Sequence, residues 1–558
     1  MMDSYDVAIV GGGPVGVALA VELGQRGISC VLVERHLEPQ PIPKGQNLTN
    51  RTLEHFYFWR CVDELRAARV MPPDYPIGNV TAYDNLMSPY FHATSGATSA
   101  SVGRGAAVRD YYFQRNERLP QYCTEAVLRS RLTQLPSVTT LFGWTAEQVE
   151  QDDAGASVTI VPSSESGGPF YSWSADTEQQ RSRDVSGDAR RRVLRSSYVV
   201  GCDGGKSLVR ESMGIDRGGR DFDQRMVLAV FRSSELHEFL NRFPPATTYR
   251  VMKPELHGYW QFFGRIDVGE GFFFHAPVPN DATPDTFDFL GLLHDAAGFQ
   301  FHAEFDHLGF WDLRIMVASQ YRQGRMFIAG DACHQHPPYG GFGLNTGLED
   351  AANLGWKLAA TLQRWGGPSL LESYDAERRP IFVETGEAMI AGGIERDRAW
   401  LDQYNPALGR AEFERAWAQY GGSWGMRPQA YEPHYEGSSV VIGPAGGRCS
   451  IHGRLSFKAE AGHHLAPKEL SSGRNVFEEL SDGFTLLAFD AADVHVRALQ
   501  AAARGRHVPL TVIRDSYADG REQYASHLVL VRPDQYVVWA ADAAPADPYA
   551  LIARISGQ

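Results

Sequence analysis

The first forty residues alternate short apolar runs with one glycine-rich turn and one segment of helical periodicity. Asp6–Val10 is an apolar run that ends at Gly11-Gly12-Gly13-Pro14-Val15-Gly16, Val17–Arg26 has apolar residues at helical spacing, and Cys30–Val33 is a second apolar run. This order predicts a strand, a tight turn, a helix and a parallel strand that ends at Glu34. Such a unit binds a dinucleotide, with the carboxylate facing a ribose. The alternatives are a turn without a ligand and an ordinary solvated carboxylate at Glu34.

Further along the chain the pattern changes from helical to strand-like. Short aromatic segments between Met226 and Met316 predict an antiparallel sheet. From Val440 onwards, apolar runs around a helical segment predict a separate small α/β unit. Two stretches of low apolar content, Ala93–Gly105 and Ser163–Arg192, predict a loop and a surface insertion.

Composition narrows the class of protein. A chain of 558 residues predicts two or three packed units, and 43% hydrophobic with 22% charged residues is typical of a globular protein. The net charge of −14, without a strong basic block, argues against a nucleic-acid partner. We see no export signal and no membrane-length apolar run, so we expect a cytoplasmic protein without a membrane partner. The six cysteines form no C-x-x-C pair, so we expect neither a disulfide framework nor a metal site.

Two later segments also join a strand to a glycine-containing turn. The apolar run before Gly201 ends at Asp203-Gly204 and opens a helix, where the simpler interpretation of Asp203 is an N-cap. The second segment begins at Gly330-Asp331 and continues through four glycines to Asn345. Glycines at a helix entrance cost conformational entropy, so a close approach of backbone to a ligand is the better explanation.

In order and spacing, the three segments resemble the single-component FAD-dependent aromatic hydroxylases of the para-hydroxybenzoate and phenol hydroxylase type, closest to the phenol and chlorophenol hydroxylase branch. The resemblance covers about residues 5–400, and the C-terminal part resembles the thioredoxin-like domain of that branch. It implies an α/β fold with a Rossmann-like FAD-binding domain, an interleaved antiparallel-sheet substrate domain and a C-terminal thioredoxin-like α/β domain. The implied ranges are 1–79, 106–215 and 317–400 for the first, 80–105 and 216–316 for the second, 401–439 for a linker and 440–558 for the third. Without a C-x-x-C pair, the third domain is expected to serve as a scaffold or to form a homo-oligomer.

The same resemblance implies which residues contact a non-covalent FAD. Gly11, Gly13, Pro14, Val15 and Gly16 would hold the pyrophosphate, Glu34 and Arg35 the adenosine end, and Asp331 the ribityl hydroxyls. Asp203 matches a segment linked to both FAD and NADPH. Positions near the flavin are matched by Arg51, Gln121, Pro338, Gly341, Gly343, Leu344 and Asn345.

The chemistry implied by the resemblance is reduction of FAD by NADPH, reaction with O2 to a flavin hydroperoxide, and attack on it by a small aromatic substrate. Tyr259 resembles in position the tyrosine that hydrogen-bonds the substrate hydroxyl. Gln46 stands where the branch carries an ionisable side chain, and glutamine cannot take a proton. His275, His302 and His334 are the alternative bases, and for each of them an ordinary packed or exposed histidine is the competing interpretation.

Other functions stay open at this point. A flavoprotein of the same fold could act as a reductase, an epoxidase or a halogenase, although none of the eleven tryptophans forms the W-x-W-x-I-P stretch of flavin halogenases. A different class is a flavin-bound assembly module that acts through residues 440–558. That module would bind FAD and show little NADPH turnover with any aromatic compound.

Overall fold

The computed structural model of the protein describes residues 3–94, 108–163, 191–420 and 431–558. The predicted loop at 93–105 and the predicted insertion at 163–192 lie almost entirely outside these ranges. Among the helices that the model describes, none combines the length and the apolar composition needed to cross a membrane.

The strands of the described ranges fall into three larger sheets and two short pairs. In chain order they are β1 (Asp3–Val10), β2 (Cys30–Glu34), β3 (Asn47–Leu48), β4 (Asn79–Tyr83), β5 (Phe91–Thr94), β6 (Glu117–Arg118), β7 (Val138–Phe142), β8 (Trp144–Asp152), β9 (Gly155–Pro162), β10 (Arg192–Gly201), β11 (Arg217–Arg232), β12 (Thr248–Met252), β13 (Gln261–Arg265), β14 (Gly271–Val278), β15 (Glu304–Ala318), β16 (Arg322–Gln323), β17 (Met326–Ile328), β18 (His334–Gln335), β19 (His434–Tyr435), β20 (Cys449–Ser450), β21 (Phe484–Phe489), β22 (Leu510–Asp515), β23 (Leu528–Val531) and β24 (Val537–Ala541).

The α-helices cover the sheets and connect them. In chain order they are α1 (Pro14–Gln25), α2 (Asn50–Phe58), α3 (Val62–Ala67), α4 (Gln121–Leu132), α5 (Leu208–Ser212), α6 (Ser234–Phe239), α7 (Phe289–Ala297), α8 (Phe342–Leu362), α9 (Pro368–Glu384), α10 (Gly392–Gln403), α11 (Arg410–Tyr420), α12 (Asp493–Gly505) and α13 (Pro548–Ile555). A π-helical turn, Thr385–Ala391, joins α9 to α10.

The first sheet has a parallel centre in the order β17-β10-β1-β2-β7, with β16, β9 and β8 added in antiparallel pairs. Its central strands are continuous apolar runs because helices cover the sheet, and Val7–Val10 and Cys30–Val33 are buried. The carboxyl ends of β1, β2, β10 and β17 therefore meet at one edge, where ligands bind in open α/β sheets.

The second sheet has the order β18-β15-β11-β14-β13-β12-β4-β5 and is antiparallel except for the β12–β4 pair. Successive side chains of β11 point to opposite faces of the sheet. Val227, Ala229 and Phe231 belong to the core beneath the sheet, whereas Leu228 and Val230 belong to a small apolar cluster on the opposite face. That opposite face is the one relevant to the site.

The C-terminal unit is a four-stranded sheet in the order β22-β21-β23-β24 with α12 and α13. Its apolar core is shared with α8 and the turn after it, because Trp356 and Trp365 both contact Phe484 at ring-centroid distances of 6.2 and 6.1 Å. The predicted α/β class, with a Rossmann-like parallel sheet, an interleaved antiparallel sheet and a C-terminal α/β unit, is confirmed. The thioredoxin-like assignment of that unit stays a prediction.

The interval expected to be a linker, 401–439, contains helix α11. Phe413 and Trp417, one helical turn apart, are buried against Tyr83 and Trp400, with ring centroids 4.7 to 6.1 Å apart. Two large aromatic residues four positions apart form one face of a helix, and this face gives the segment enough apolar area to fold onto the second sheet.

A buried ion cluster joins the C-terminal unit to α8 and α9. Glu377 on α9 accepts hydrogen bonds from Lys357 Nζ at 2.7 Å and from two nitrogens of Arg532 at 2.8 Å each. Arg532 also pairs with Asp534 at 2.8 Å, and none of the four side chains is more than 2% exposed. Burial alone would raise the pKa of Glu377, but Arg532 and Lys357 outweigh it and hold that pKa well below its usual range.

Replacing Glu377 by Gln tests this cluster. The amide keeps the shape of the side chain but leaves Lys357 and Arg532 facing only one negative charge, and breaking a buried ion pair costs about 3–5 kcal/mol. We expect the free energy of unfolding to fall by that amount, measured as a lower urea midpoint by tryptophan fluorescence. The matched control is Glu147→Gln, which removes the 2.6 Å pair of Glu147 with Arg191 on the surface. The control should lose less than about 1 kcal/mol, and equal losses in the two variants would contradict the assignment.

Candidate functional site

One cavity of about 2070 Å³ lies between the first sheet, the start of α8 and the face of the second sheet that carries Leu228. Pockets for one small molecule usually measure about 300–1,000 Å³, so this cavity has room for a dinucleotide and a second molecule. Almost all of the predicted cofactor residues line it, as do Gln46 and His275. Gly16, Tyr259 and the alternative base His302 are the predicted site residues that do not.

The glycine turn after β1 forms a cradle at one end of the cavity. Gly11 has a φ of +100°, and a Cβ atom there would lie 2.4 Å from the carbonyl oxygen of Cys202. Gly13 precedes α1 without a side-chain cap, and a Cβ atom there would meet nothing within 4 Å. Gly16 lies behind the turn, where a Cβ atom would be 1.9 Å from the oxygen of Gly11. The backbone at the start of α1 is thus open to an anionic ligand, and Gly16 acts through close packing.

Glu34, at the end of β2, lies beside this cradle. One carboxylate oxygen accepts the backbone N–H of Gly12 at 2.6 Å, and the other accepts that of His36 at 2.8 Å. A carboxylate has about four acceptor positions, so capacity for ribose hydroxyls is left. Arg35 lines the same end of the cavity.

Asp203 and Asp331 follow the neighbouring strands β10 and β17. Asp203 accepts the backbone N–H of Val209 through Oδ2 at 3.2 Å, whereas its buried Oδ1 has no partner among the described residues. Asp331 lines the cavity, and its side chain is exposed to the space inside it. The surrounding protein raises the pKa of both carboxyls by desolvation, against the opposing charges of His334 and Lys44 at Asp331. The glycine cradle, Glu34 and these two carboxyls together fit the pyrophosphate and hydroxyl groups of a dinucleotide.

The start of α8 forms the middle of the cavity wall. Pro338, Gly341, Gly343 and Leu344 line it, and Gly341 is left-handed with a φ of +70°. The side chain of Asn345 donates to the oxygens of Asn47 and Gly341 at 2.8 and 2.6 Å and accepts the N–H of Thr49 at 2.9 Å. Asn345 therefore holds the chain before α2 against the start of α8.

Arg51 lines the cavity, but the structure gives its side chain a different task from the predicted flavin contact. Its guanidinium donates to Glu349, to Glu54 at 3.1 Å, to Gln535 at 2.8 Å and to the backbone oxygen of Asp534 at 2.7 Å. These five hydrogen bonds use all of its N–H donors. Arg51 thus ties the cavity wall to the C-terminal unit, and no donor is left for a cofactor.

Aromatic rings and two histidines cover the sheet end of the cavity. The ring centroid of His275 lies 5.1 Å from that of Phe262, 5.7 Å from that of Phe273 and 6.0 Å from that of Trp311. His275 Nδ1 and His307 Nε2 are buried, and within the described part of the chain neither has a hydrogen-bond partner. Burial lowers the pKa of His275 to about 3, so its imidazole is neutral at ordinary pH and is a poor general base.

Gln46 also carries unsatisfied polar atoms in the lining of this cavity. Its side chain is buried, and neither amide atom has a partner in the ranges that the structure describes. Gln121, the first residue of α4, lies near it across Gly45, where a Cβ atom would be 3.3 Å from Gln121 Oε1. Buried polar atoms without partners are rare in folded proteins, so Gln46, His275 and His307 indicate a ligand with hydrogen-bonding groups.

The other candidate bases and Tyr259 do not reach this group. The Tyr259 hydroxyl points to the backbone oxygen of Phe222 at 3.5 Å, outside the cavity, while the next residue, Trp260, lines it. Tyr259 belongs to the turn before β13, where the alternation of the strand has not yet begun. His302 is 73% exposed, and His334 Nε2 is held by Asp350 at 2.7 Å.

Two functional candidates were missed by the sequence interpretation. His307 and Trp311 line the cavity together with Gly309 between them, at a spacing of two residues along β15. This spacing places them on one face of a strand. Phe273 and His275 have the same two-residue spacing on β14. This spacing is the sequence signal that could have identified the four residues as one face of the sheet.

Comparisons with known proteins show that the chain contains an FAD-binding domain. Residues 4–387 match the model of an FAD-binding domain, and residues 459–558 match that of the aromatic-ring hydroxylase C-terminal domain. The FAD-dependent monooxygenase apdD of Emericella nidulans is 28% identical over 99% of this chain and 90% of its own length, and the 4-methyl-5-nitrocatechol 5-monooxygenase of a Burkholderia species is 28% identical over 98% and 96%. The structure of the rebeccamycin biosynthetic enzyme RebC with reduced flavin aligns over all of both chains with a TM-score of 0.82 and 27% identity. The chain therefore belongs to the family of FAD-dependent monooxygenases that carry the aromatic-ring hydroxylase C-terminal domain.

Proposed function

We propose that this FAD-dependent monooxygenase hydroxylates a phenolic or related electron-rich ring, with NADPH as the reductant. The observation that carries the proposal is the set of buried, unsatisfied polar atoms on Gln46, His275 and His307 in the lining of the FAD cavity, the two histidines lying on strands β14 and β15 of the second sheet. A phenol offers one hydrogen-bonding group on an apolar ring, which matches such a surface.

Each part of the cavity has a separate task in this proposal. Bound FAD supplies the redox and oxygen chemistry, which protein side chains cannot provide. The rings of Phe262, Phe273 and Trp311 exclude water from the reacting end. His275, neutral because of its lowered pKa, accepts the hydrogen bond of the phenolic hydroxyl and fixes the orientation of the ring.

The cavity favours a substrate with several fused rings over a simple phenol. Its volume of about 2070 Å³ is twice the upper end of the range for a single small-molecule pocket, about 1,000 Å³. After a dinucleotide is bound, a space of the order of a second full-sized ligand is left.

We infer that the C-terminal unit, residues 440–558, is a thioredoxin-like scaffold. The sheet order β22-β21-β23-β24, with β22 parallel and the other two strands antiparallel to their neighbours, supports this topology. Its only cysteine is Cys449, so thiol–disulfide exchange within the unit has no second thiol. Its contacts with Trp356, Arg51 and Glu377 support a scaffolding role in the same chain.

The proposed activity is tested by NADPH consumption of the FAD-loaded protein with phenols, pyridinols and polycyclic quinols. We expect polycyclic phenols to stimulate consumption most and to yield a product heavier by one oxygen atom, and NADH to be used less efficiently than NADPH. Stimulation that produces only hydrogen peroxide would make the compound an effector. If no compound stimulates consumption, the reductase and assembly-module interpretations gain support.

Replacing His275 by Phe tests the orienting role. The ring keeps its packing against Phe262 but loses the acceptor, and a neutral hydrogen bond contributes about 0.5–1.5 kcal/mol. We expect kcat/KM for the hydroxylated product to fall about 2–10-fold, with less product per NADPH and an unchanged FAD content. The control is His302→Phe, which alters an exposed histidine outside the cavity. Unchanged coupling in His275→Phe would remove His275 from the substrate contact.

A further inference from the structure

Four titratable side chains lie together behind the cavity wall, outside the FAD and substrate surfaces. His434 and Glu436 lie on and next to β19, Glu432 precedes them, and His463 comes from the loop that follows β20. The backbone N–H of Tyr435 donates to the oxygen of Gly462 at 2.7 Å, which holds the two segments side by side. Residues that are 27 or more positions apart in sequence are thus brought to one place by the fold.

The potential ligand atoms converge within this group. His463 Nε2 lies 3.0 Å from Glu436 Oε1, and His434 Nδ1 lies 4.0 Å from Glu436 Oε2. The two imidazoles are stacked, with centroids 4.7 Å apart and planes within 2° of parallel, so one ring has to turn for both nitrogen lone pairs to face one ion. One ligand atom from each of His434, Glu436 and His463 lies within 4.8 Å of the other two.

An independent observation indicates that something binds here. The His434 side chain is 8% exposed, and its Nδ1 has no hydrogen-bond partner in the portion of the protein that the structure describes. A buried polar atom of this kind calls for a water, an ion or a ligand. Its neighbours at this point are the ring nitrogen of His463 and the carboxylate of Glu436, which are themselves metal-binding groups.

We propose that His434 Nδ1, His463 Nε2 and the carboxylate of Glu436 bind one Zn²⁺ ion. Two imidazoles and one carboxylate are a known ligand set for zinc, with a fourth position left for water. Glu432 completes the arrangement, because its Oε1 lies 3.1 Å from His463 Nδ1. A carboxylate on the far ring nitrogen keeps a proton at Nδ1, and the ion would take the place of the proton that Nε2 shares with Glu436 at 3.0 Å.

The expectation of no metal site came from the absence of paired cysteines, and this ligand set contains none. Tyr431 and Pro433 on one segment and His464 on the other line the large cavity. The ion would therefore clamp two parts of the cavity wall to each other. This task is separate from the flavin chemistry, so the inference does not depend on the proposed substrate.

The test uses the FAD-loaded protein after treatment with a chelator. We expect calorimetric titration with ZnCl2 to show one high-affinity ion per chain. Zinc X-ray absorption should give nitrogen and oxygen neighbours at about 2.0–2.2 Å and no sulfur shell at about 2.3 Å, which excludes binding at a cysteine. The bound ion should also raise the melting temperature.

Three variants locate the site. We expect His434→Ala to lose the high-affinity ion and Glu432→Gln to weaken its binding about 10–100-fold, with FAD content retained. His302→Ala, which removes an exposed histidine elsewhere, should bind as the unchanged protein does. Absence of a high-affinity ion in the unchanged protein, a sulfur shell, or full binding by His434→Ala would each overturn the proposal. The first two results are measured on the unchanged protein, so they do not depend on whether a variant folds.

Discussion

The attachment of the C-terminal unit depends on charges that have no access to solvent. Glu377, Lys357, Arg532 and Asp534 balance one another, two cations against two anions, and each would be strongly unfavourable alone in that position. Because Asp534 and its neighbour Gln535 also accept hydrogen bonds from Arg51, the same attachment fixes the wall of the FAD cavity. The C-terminal unit is thus part of the site's support, although it contributes no group to the chemistry proposed here.

The cavity itself divides into an end made of backbone and carboxylates and an end made of rings. The first end holds glycines and strand-terminal acids, which we propose face the pyrophosphate and hydroxyls of FAD. At the other end, one face of an antiparallel sheet presents phenylalanines and tryptophan with isolated polar atoms between them. An electron-rich ring placed there is kept from water and oriented by a single hydrogen bond. This separation of charge from apolar surface within one cavity is what the proposed hydroxylation requires.

Local sequence signals pointed to the residues of the first end, and at the second end they pointed to His275 but not to His307 and Trp311. The glycine turn, Glu34, Asp203 and Asp331 act through the strand that each one follows, so neighbouring residues were enough to place them. Tyr259 was misplaced because a turn precedes β13. The Arg51 donors are shared among Glu54, Glu349 and two residues of the C-terminal unit, 484 and 483 positions away. His307 and Trp311 have the period-two spacing of one strand face, which sequence analysis could have used. Phe413 and Trp417 likewise have a four-residue spacing that indicates one face of a helix. Convergence of His434 with His463 depends on long-range folding and has no local signal.

In the proposed reaction, one oxygen atom of O2 enters an aromatic ring bound in this cavity. The most direct test is turnover of a stimulating phenol under ¹⁸O2 in ordinary water, with mass analysis of the isolated product. We expect one ¹⁸O atom per product molecule, and none when the label is supplied as H2¹⁸O instead. A product labelled only from water, or NADPH consumption without a labelled aromatic product, would contradict it.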